Sequence, residues 1–146
     1  AVKMHYEYNM QDNLVELHNF EGGYAGVSKV ENGSVNLCYL VSYDSFKRYK
    51  NVTDFNKEVL SENKFLESFF EKATPVWKQP ITISQISFEK KEPVENHILM
   101  MGDTAGLIHP LCGNGMAMAI HSAKIAFEEL LPYLKQELSR EQALAN

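Results

Sequence analysis

The dipeptide Asn32-Gly33 stands between two β-rich runs, "YAGVSKV" and "SVNLCYLV". An Asn-Gly pair in that setting is the strongest short signal for a β-hairpin, because the tight turns that suit twisted strands place φ > 0 at residues that tolerate it. Few other features bind this chain so firmly to one local architecture. If Asn32 and Gly33 are the two loop residues, Val30 pairs with Val35, Ser28 with Leu37, Gly26 with Tyr39 and Tyr24 with Val41. Tyr24, Gly26, Ser28, Val30, Val35, Leu37, Tyr39 and Val41 would then share a face. Gly26 would leave space opposite the Tyr39 ring. Such a face is either core with close backbone packing or one wall of an apolar pocket lined by Tyr24, Gly26 and Tyr39.

Two further β-rich runs precede the hairpin, "KMHYEYNM" (3–10) and "NLVELHNF" (13–20), so the first half reads as antiparallel sheet. From about 44 to 73 the spacing turns helical. Phe55 and Val59 lie four apart, and Phe65, Leu66, Phe69 and Phe70 form a stripe that would cover a sheet face. Ser61 is the expected cap between two helices. "PITISQISF" (80–88) returns to strand, with a phase change near Ser84-Gln85 that suggests a bulge. After a polar connection, "HILMMGD" is a continuous apolar run of the kind found in strands covered on both faces. Near the end, Ser139 and Gln142 have the spacing of a capping box that opens a helix. The expected organisation is α+β, with an antiparallel sheet and covering helices over 1–96 and a strand, loop and helix over 97–146.

The chain has 146 residues and a net charge of −5, with scattered lysines and no basic stripe. That composition speaks against nucleic acid, whose binding needs clustered Lys and Arg. Two cysteines, Cys38 and Cys112, are too few for a disulfide framework and fit a reducing, cytoplasmic setting. No apolar run approaches the ~20 residues of a membrane span. His97, His109 and His121 do not have metal-ligand spacing, so no metal is expected. Cys112 reads as a small buried hydrophobe, and His109 as a residue that is structural or contacts a ligand.

The stretch "GDTAGLIHPLCGNGMAMAIHSA" (102–123) carries the chemistry. An apolar run ends in Gly-Asp, a glycine-rich loop follows, and a helix of small residues begins. First-turn N–H groups of a helix lack intrahelical partners and face the positive end of its dipole. Glycines let a flat ring or a phosphate approach the backbone. Asp103 is placed to accept hydrogen bonds from ligand hydroxyls.

This stretch resembles the Gly-Asp motif of FAD-dependent oxidoreductases of the aromatic hydroxylase and geranylgeranyl reductase type. The resemblance implies that Asp103 binds the ribityl or ribose hydroxyls of FAD. It implies too that Pro110, Gly113, Asn114, Gly115 and Met116 line the isoalloxazine. "FEGGYAGVSKVENGS" is similar to the Gly-Gly-Tyr strand of the substrate-domain sheet in these enzymes, and "SREQALAN" to the start of the helix after the motif. It implies a monooxygenase or reductase acting on a small apolar or aromatic substrate, with Tyr24, Gly26, Tyr39 and His109 near that substrate and NAD(P)H as candidate electron donor. The family's Gly-x-Gly-x-x-Gly unit for the FAD pyrophosphate and its mid-chain Asp-Gly motif are both missing. The chain therefore reads as a C-terminal part, inactive alone, whose N-terminal part is its partner in the same polypeptide. The Tyr-x-Trp-x-Phe-Pro pattern of the reductases is interrupted at Gly26, Ser28 and Lys29. The paired tryptophans of flavin halogenases are absent, since Trp77 is the single tryptophan. The alternative is a non-catalytic small-ligand or interaction module that keeps the fold without the cofactor.

Overall fold

The computed structural model describes residues 1–84 and 86–145, and the bulge expected at Ser84-Gln85 falls partly outside them. It divides into two compact units, Ala1–Ser84 and Gln85–Asn146.

The first unit is built on four antiparallel strands, β1 (Val2–Glu7), β2 (Val15–Phe20), β3 (Gly23–Lys29) and β4 (Val35–Val41). Their order is β2-β3-β4-β1. Two short pieces, β5 (Thr74–Pro75) and β6 (Ile81–Thr82), pair with opposite ends of β1's outer edge. Among the described residues of the expected 80–88 strand, only Ile81 and Thr82 are in the sheet.

The hairpin forms, but with a loop of three residues. The Gly33 amide donates to the Val30 carbonyl and the Val30 amide donates to the Ser34 carbonyl, both at 2.9 Å, enclosing Glu31, Asn32 and Gly33. Gly33 alone takes a positive φ, +85°, which gives a turn closed by a glycine bulge. The extra residue moves the register by one. Tyr39 stands across from Ala25, Gly26 from Cys38, and Tyr24 from Leu40. The expected face of Tyr24, Gly26 and Tyr39 therefore does not exist: Tyr39 points to one side of the sheet, Tyr24 and Gly26 to the other. Burial explains the choice. The observed register puts Ala25 and Val27 in the core with Val35, Leu37 and Tyr39. The expected one would place Gly26 and Ser28 there and expose Val27, forfeiting the roughly 1.5–3 kcal/mol of a buried valine.

Helices α1 (Tyr43–Phe46), α2 (Val52–Glu58) and α3 (Lys64–Lys72) supply the covering residues. Asn51 caps α2, its Oδ1 accepting from the Asp54 amide at 2.9 Å. Asn63 caps α3, accepting from the Phe65 and Leu66 amides. Ser61 is thus not the cap; its hydroxyl donates to the Asn56 carbonyl within a 3₁₀ turn, Leu60–Glu62. Phe55 is completely buried. The rings of Phe20, Tyr39, Phe46 and Tyr49 surround it, with centroids 5.2 to 5.9 Å away. Leu66 and Phe69 are buried as the helical stripe requires, whereas Phe65 lies outside it, stacked on His18 of β2.

The second unit contains a small hairpin, β7 (Val94–Glu95) with β8 (Ile98–Leu99), then α4 (Gly115–Leu134) and α5 (Arg140–Ala145). Val94 pairs with Leu99, which keeps both strands in one unit and sets the division before 85 rather than at 96–97. The apolar run 98–101 is not a strand buried on both faces: β8 has two residues, and Ile98 and Met101 are exposed. The capping box is formed as read. Ser139 Oγ accepts from the Gln142 amide, and Gln142 Oε1 accepts from the Ser139 amide.

Candidate functional site

Gly102, Asp103 and Thr104 form a 3₁₀ turn, so Asp103 does not end a strand as expected. Gly102 has φ +61°, and a Cβ there would lie 3.2 Å from the Ala119 Cβ of α4. Its amide donates to Ser122 Oγ at 2.9 Å, and that hydroxyl donates to the Ala119 carbonyl. The Gly-Asp turn is thereby pinned to α4 between one and two turns from the helix start. Small residues at 119 and 122 allow the approach. Asp103 itself is exposed, and its carboxylate makes no hydrogen bond or ion pair with any described residue.

The loop then runs through a second 3₁₀ turn, Pro110–Cys112, closed by Gly113 in the left-handed region. His109 caps that turn, accepting from the Leu111 amide at 3.3 Å, and its ring stacks on Phe88 with centroids 5.6 Å apart. That gives His109 a structural part in the loop. Cys112 is exposed rather than buried. Asn114 occupies the N-cap of α4 without a side-chain cap bond, which leaves the amides of Gly115, Met116 and Ala117 without intrahelical partners. Met116 is 82% exposed.

Three glycines of this segment are not explained by packing. Nothing lies within 4 Å of where a Cβ would stand at Gly106, Gly113 or Gly115. At Gly106 and Gly115 neither a positive φ nor a neighbouring atom requires glycine. An alanine would instead roughen an open surface beside the free helix amides. The backbone there is open to the approach of another group, and the helix dipole favours negative charge beside it.

The remaining candidates divide between the two sides of the sheet. Tyr39 is buried and donates to Asn56 Oδ1 at 2.9 Å. Burial and the neighbouring Tyr6 push its phenol far above the usual range. It lines a cavity of about 690 Å³ between the core face and α2 and α3, to which Val2, Met4, Tyr6, Asn56 and Phe70 also contribute. Tyr24 and Gly26 lie on the opposite side, with Cys38, whose thiol burial pushes up. Two residues of that side drew no notice in the sequence. They are His5 and Asn36, register partners on β1 and β4, and only their place in the alternation of those strands could have pointed to them. Among the described residues no group of three His, Cys, Asp or Glu side chains could hold a metal ion, and no helix is long and apolar enough to cross a membrane.

The fold is similar to that of a solved flavoenzyme, the myxobacterial chondrochloren halogenase CndH, described as a new variant of FAD-dependent halogenases. The TM-score is 0.72 with 14% identity over 99% of this chain. This chain spans 35% of the halogenase's length. The arrangement of antiparallel sheet, helices, loop and long helix is thus that of part of an FAD-dependent halogenase fold. No protein-family model and no curated protein matches the sequence.

Proposed function

We propose that this chain is the C-terminal part of an FAD-dependent oxidoreductase, a monooxygenase or reductase acting on a small apolar or aromatic substrate. One observation carries the reading. An exposed aspartate, without a hydrogen bond or ion pair among the described residues, follows a glycine held to Ala119 and Ser122 of α4, the helix whose preceding loop and first turn carry glycines that face open space. The fold likeness to an FAD-dependent halogenase supports it.

In this reading Asp103 accepts hydrogen bonds from hydroxyls of the ribityl or ribose chain. Gly113, Asn114, Gly115 and Met116 offer a flat backbone surface and amide donors to the isoalloxazine edge, and Pro110 stiffens the approach. FAD supplies the redox chemistry, while these residues bind and orient it. The sheet unit belongs to the substrate domain, and NAD(P)H is a candidate reductant. The partner of this chain is the remainder of the same polypeptide, carrying the pyrophosphate loop. The exposed side chains of α4 support that partner: Met116, Ile120, Phe127 and Leu134 are 59 to 82% exposed and recur along one side of the helix.

The test is flavin retention after dialysis by the longer chain that includes the upstream coding sequence. It should hold flavin stoichiometrically, and the Asp103→Ala variant should bind it about ten- to a hundredfold more weakly, through loss of one or two charge-assisted bonds. A longer chain that holds no flavin would leave a non-catalytic small-ligand module.

A further inference from the structure

The sequence places Gly directly after Asn twice, at Asn32-Gly33 in the hairpin and at Asn114-Gly115 where α4 begins. Asn-Gly is the pair most open to a self-reaction of the chain, because glycine has no side chain to shield its amide nitrogen from the neighbouring carboxamide. Both asparagines are exposed, so access to water does not separate them. Their bonding does. In the hairpin the Gly33 amide donates to the Val30 carbonyl, the Val30 amide donates to the Ser34 carbonyl, and Asn32 Oδ1 accepts from the Ser34 amide at 3.0 Å. At the start of α4 neither the Asn114 side chain nor the Gly115 amide makes a hydrogen bond with any described residue. Nothing lies within 4 Å of where a Cβ would stand at Gly115.

We infer that Asn114 is a site of spontaneous deamidation, which puts a permanent negative charge at the start of α4, and that the fold suppresses the same reaction at Asn32. The Gly115 nitrogen, having given its proton to solvent, bonds to Asn114 Cγ. The bond from Cγ to the side-chain nitrogen breaks, and that nitrogen leaves as ammonia. One water then opens the cyclic imide at either carbonyl, giving aspartate or the side-chain-linked isoaspartate. Nothing is oxidised or reduced, and the reacting carbon is the same for either orientation of the amide. Ring closure requires rotation about the asparagine ψ. At Asn114 that gives up one bond, from the Met118 amide to the Asn114 carbonyl, at a helix end that frays. At Asn32 three bonds stand in the way, and with them the closure of the central β3–β4 pair. The helix dipole also favours the deprotonated nitrogen at Gly115, as it favours any anion at a helix start. The reaction needs only this chain and water, and so does not depend on the flavin reading.

The experiment ages the full 146-residue chain for days in mildly alkaline buffer. Peptide mass spectrometry with fragmentation follows the amide-to-acid mass gain at each asparagine, and enzymatic methylation of isoaspartate identifies the product. In the folded chain Asn114 should convert about tenfold or more faster than Asn32, the factor that corresponds to one net hydrogen bond. In guanidinium, which removes the bonds at both places, the two rates should converge. Gly115→Ala, whose methyl meets nothing within 4 Å, should slow conversion at Asn114 and leave Asn32 as it was. No conversion at Asn114, equal rates in the folded chain, faster conversion at Asn32, a difference that persists in guanidinium, or an Asn114 rate unmoved by Gly115→Ala would each overturn the inference. The comparison of the two sites within the unmodified chain decides the matter should the variant fail to fold.

Discussion

The amide of Gly102 donates to the hydroxyl of Ser122, which donates in turn to the carbonyl of Ala119. This short relay is what holds the Gly-Asp turn against α4. Gly102→Ala must accept φ near +61° and a methyl 3.2 Å from Ala119. Strain of that kind costs about 1–3 kcal/mol. Ser122→Ala leaves the Gly102 amide without its acceptor, at about 1–3 kcal/mol. Both should lower the urea midpoint of the second unit, followed by amide exchange on α4.

Asp103 should behave in the opposite way. It is exposed and touches nothing that its loss would strand, so Asp103→Ala should shift stability by no more than about 0.5 kcal/mol. Thermal melting of the 146-residue chain checks this. A large drop would make Asp103 a structural residue and remove the ground for its cofactor role.

What could be read from the residues alone follows a physical division. Local chemistry was legible. The reciprocal Ser139–Gln142 cap formed as its spacing implies, because each partner lies within one turn of the other. The Phe55, Leu66 and Phe69 periodicity located core helices. Choices that depend on a non-local partner were not legible. Glu31-Asn32-Gly33 supports a loop of two residues or of three, and only the burial of Ala25 and Val27 against the rest of the core decides between them. The run 98–101 is apolar whether or not neighbours cover it. Asn63 displaced Ser61 as cap because its Oδ1 reaches two amides while its Nδ2 donates to the Asn19 carbonyl of β2, 44 positions away.

His5 should show itself in the pH dependence of stability. Its folded pKa is lowered from 6.5 by burial and Lys3, so the unfolded chain takes up the proton more readily. Stability is therefore full above about pH 6.5 and falls as pH drops from there through the folded pKa. His5→Phe should flatten that part of the curve. It should also melt no lower than the parent at pH 7, since an apolar ring replaces a buried nitrogen that has no hydrogen-bond partner among the described residues. Urea midpoints of both chains from pH 7.5 to 5 measure the difference, and equal slopes would mean that His5 titrates normally.

Tyr39→Phe separates a core tyrosine from one awaiting a ligand. The variant keeps the ring against Phe55 and loses only the bond to Asn56. The expected cost is about 1 kcal/mol, with the fold unchanged by circular dichroism. An increase in stability would mean that the Tyr39–Asn56 bond contributes nothing in solution.

The loop at Glu31-Asn32-Gly33 works like a reading frame for the sheet. Strand side chains alternate with a period of two, so the number of residues the loop encloses decides which side of the sheet each residue of β4 shares with β3. Closing the present sequence around two residues instead of three would bring Cys38 and Asn36 to the side of Ala25 and Val27, and take Tyr39 and Leu37 away from it. Substitutions can retouch either side of this sheet one position at a time, but a different closure of this turn exchanges the sides of β4 wholesale.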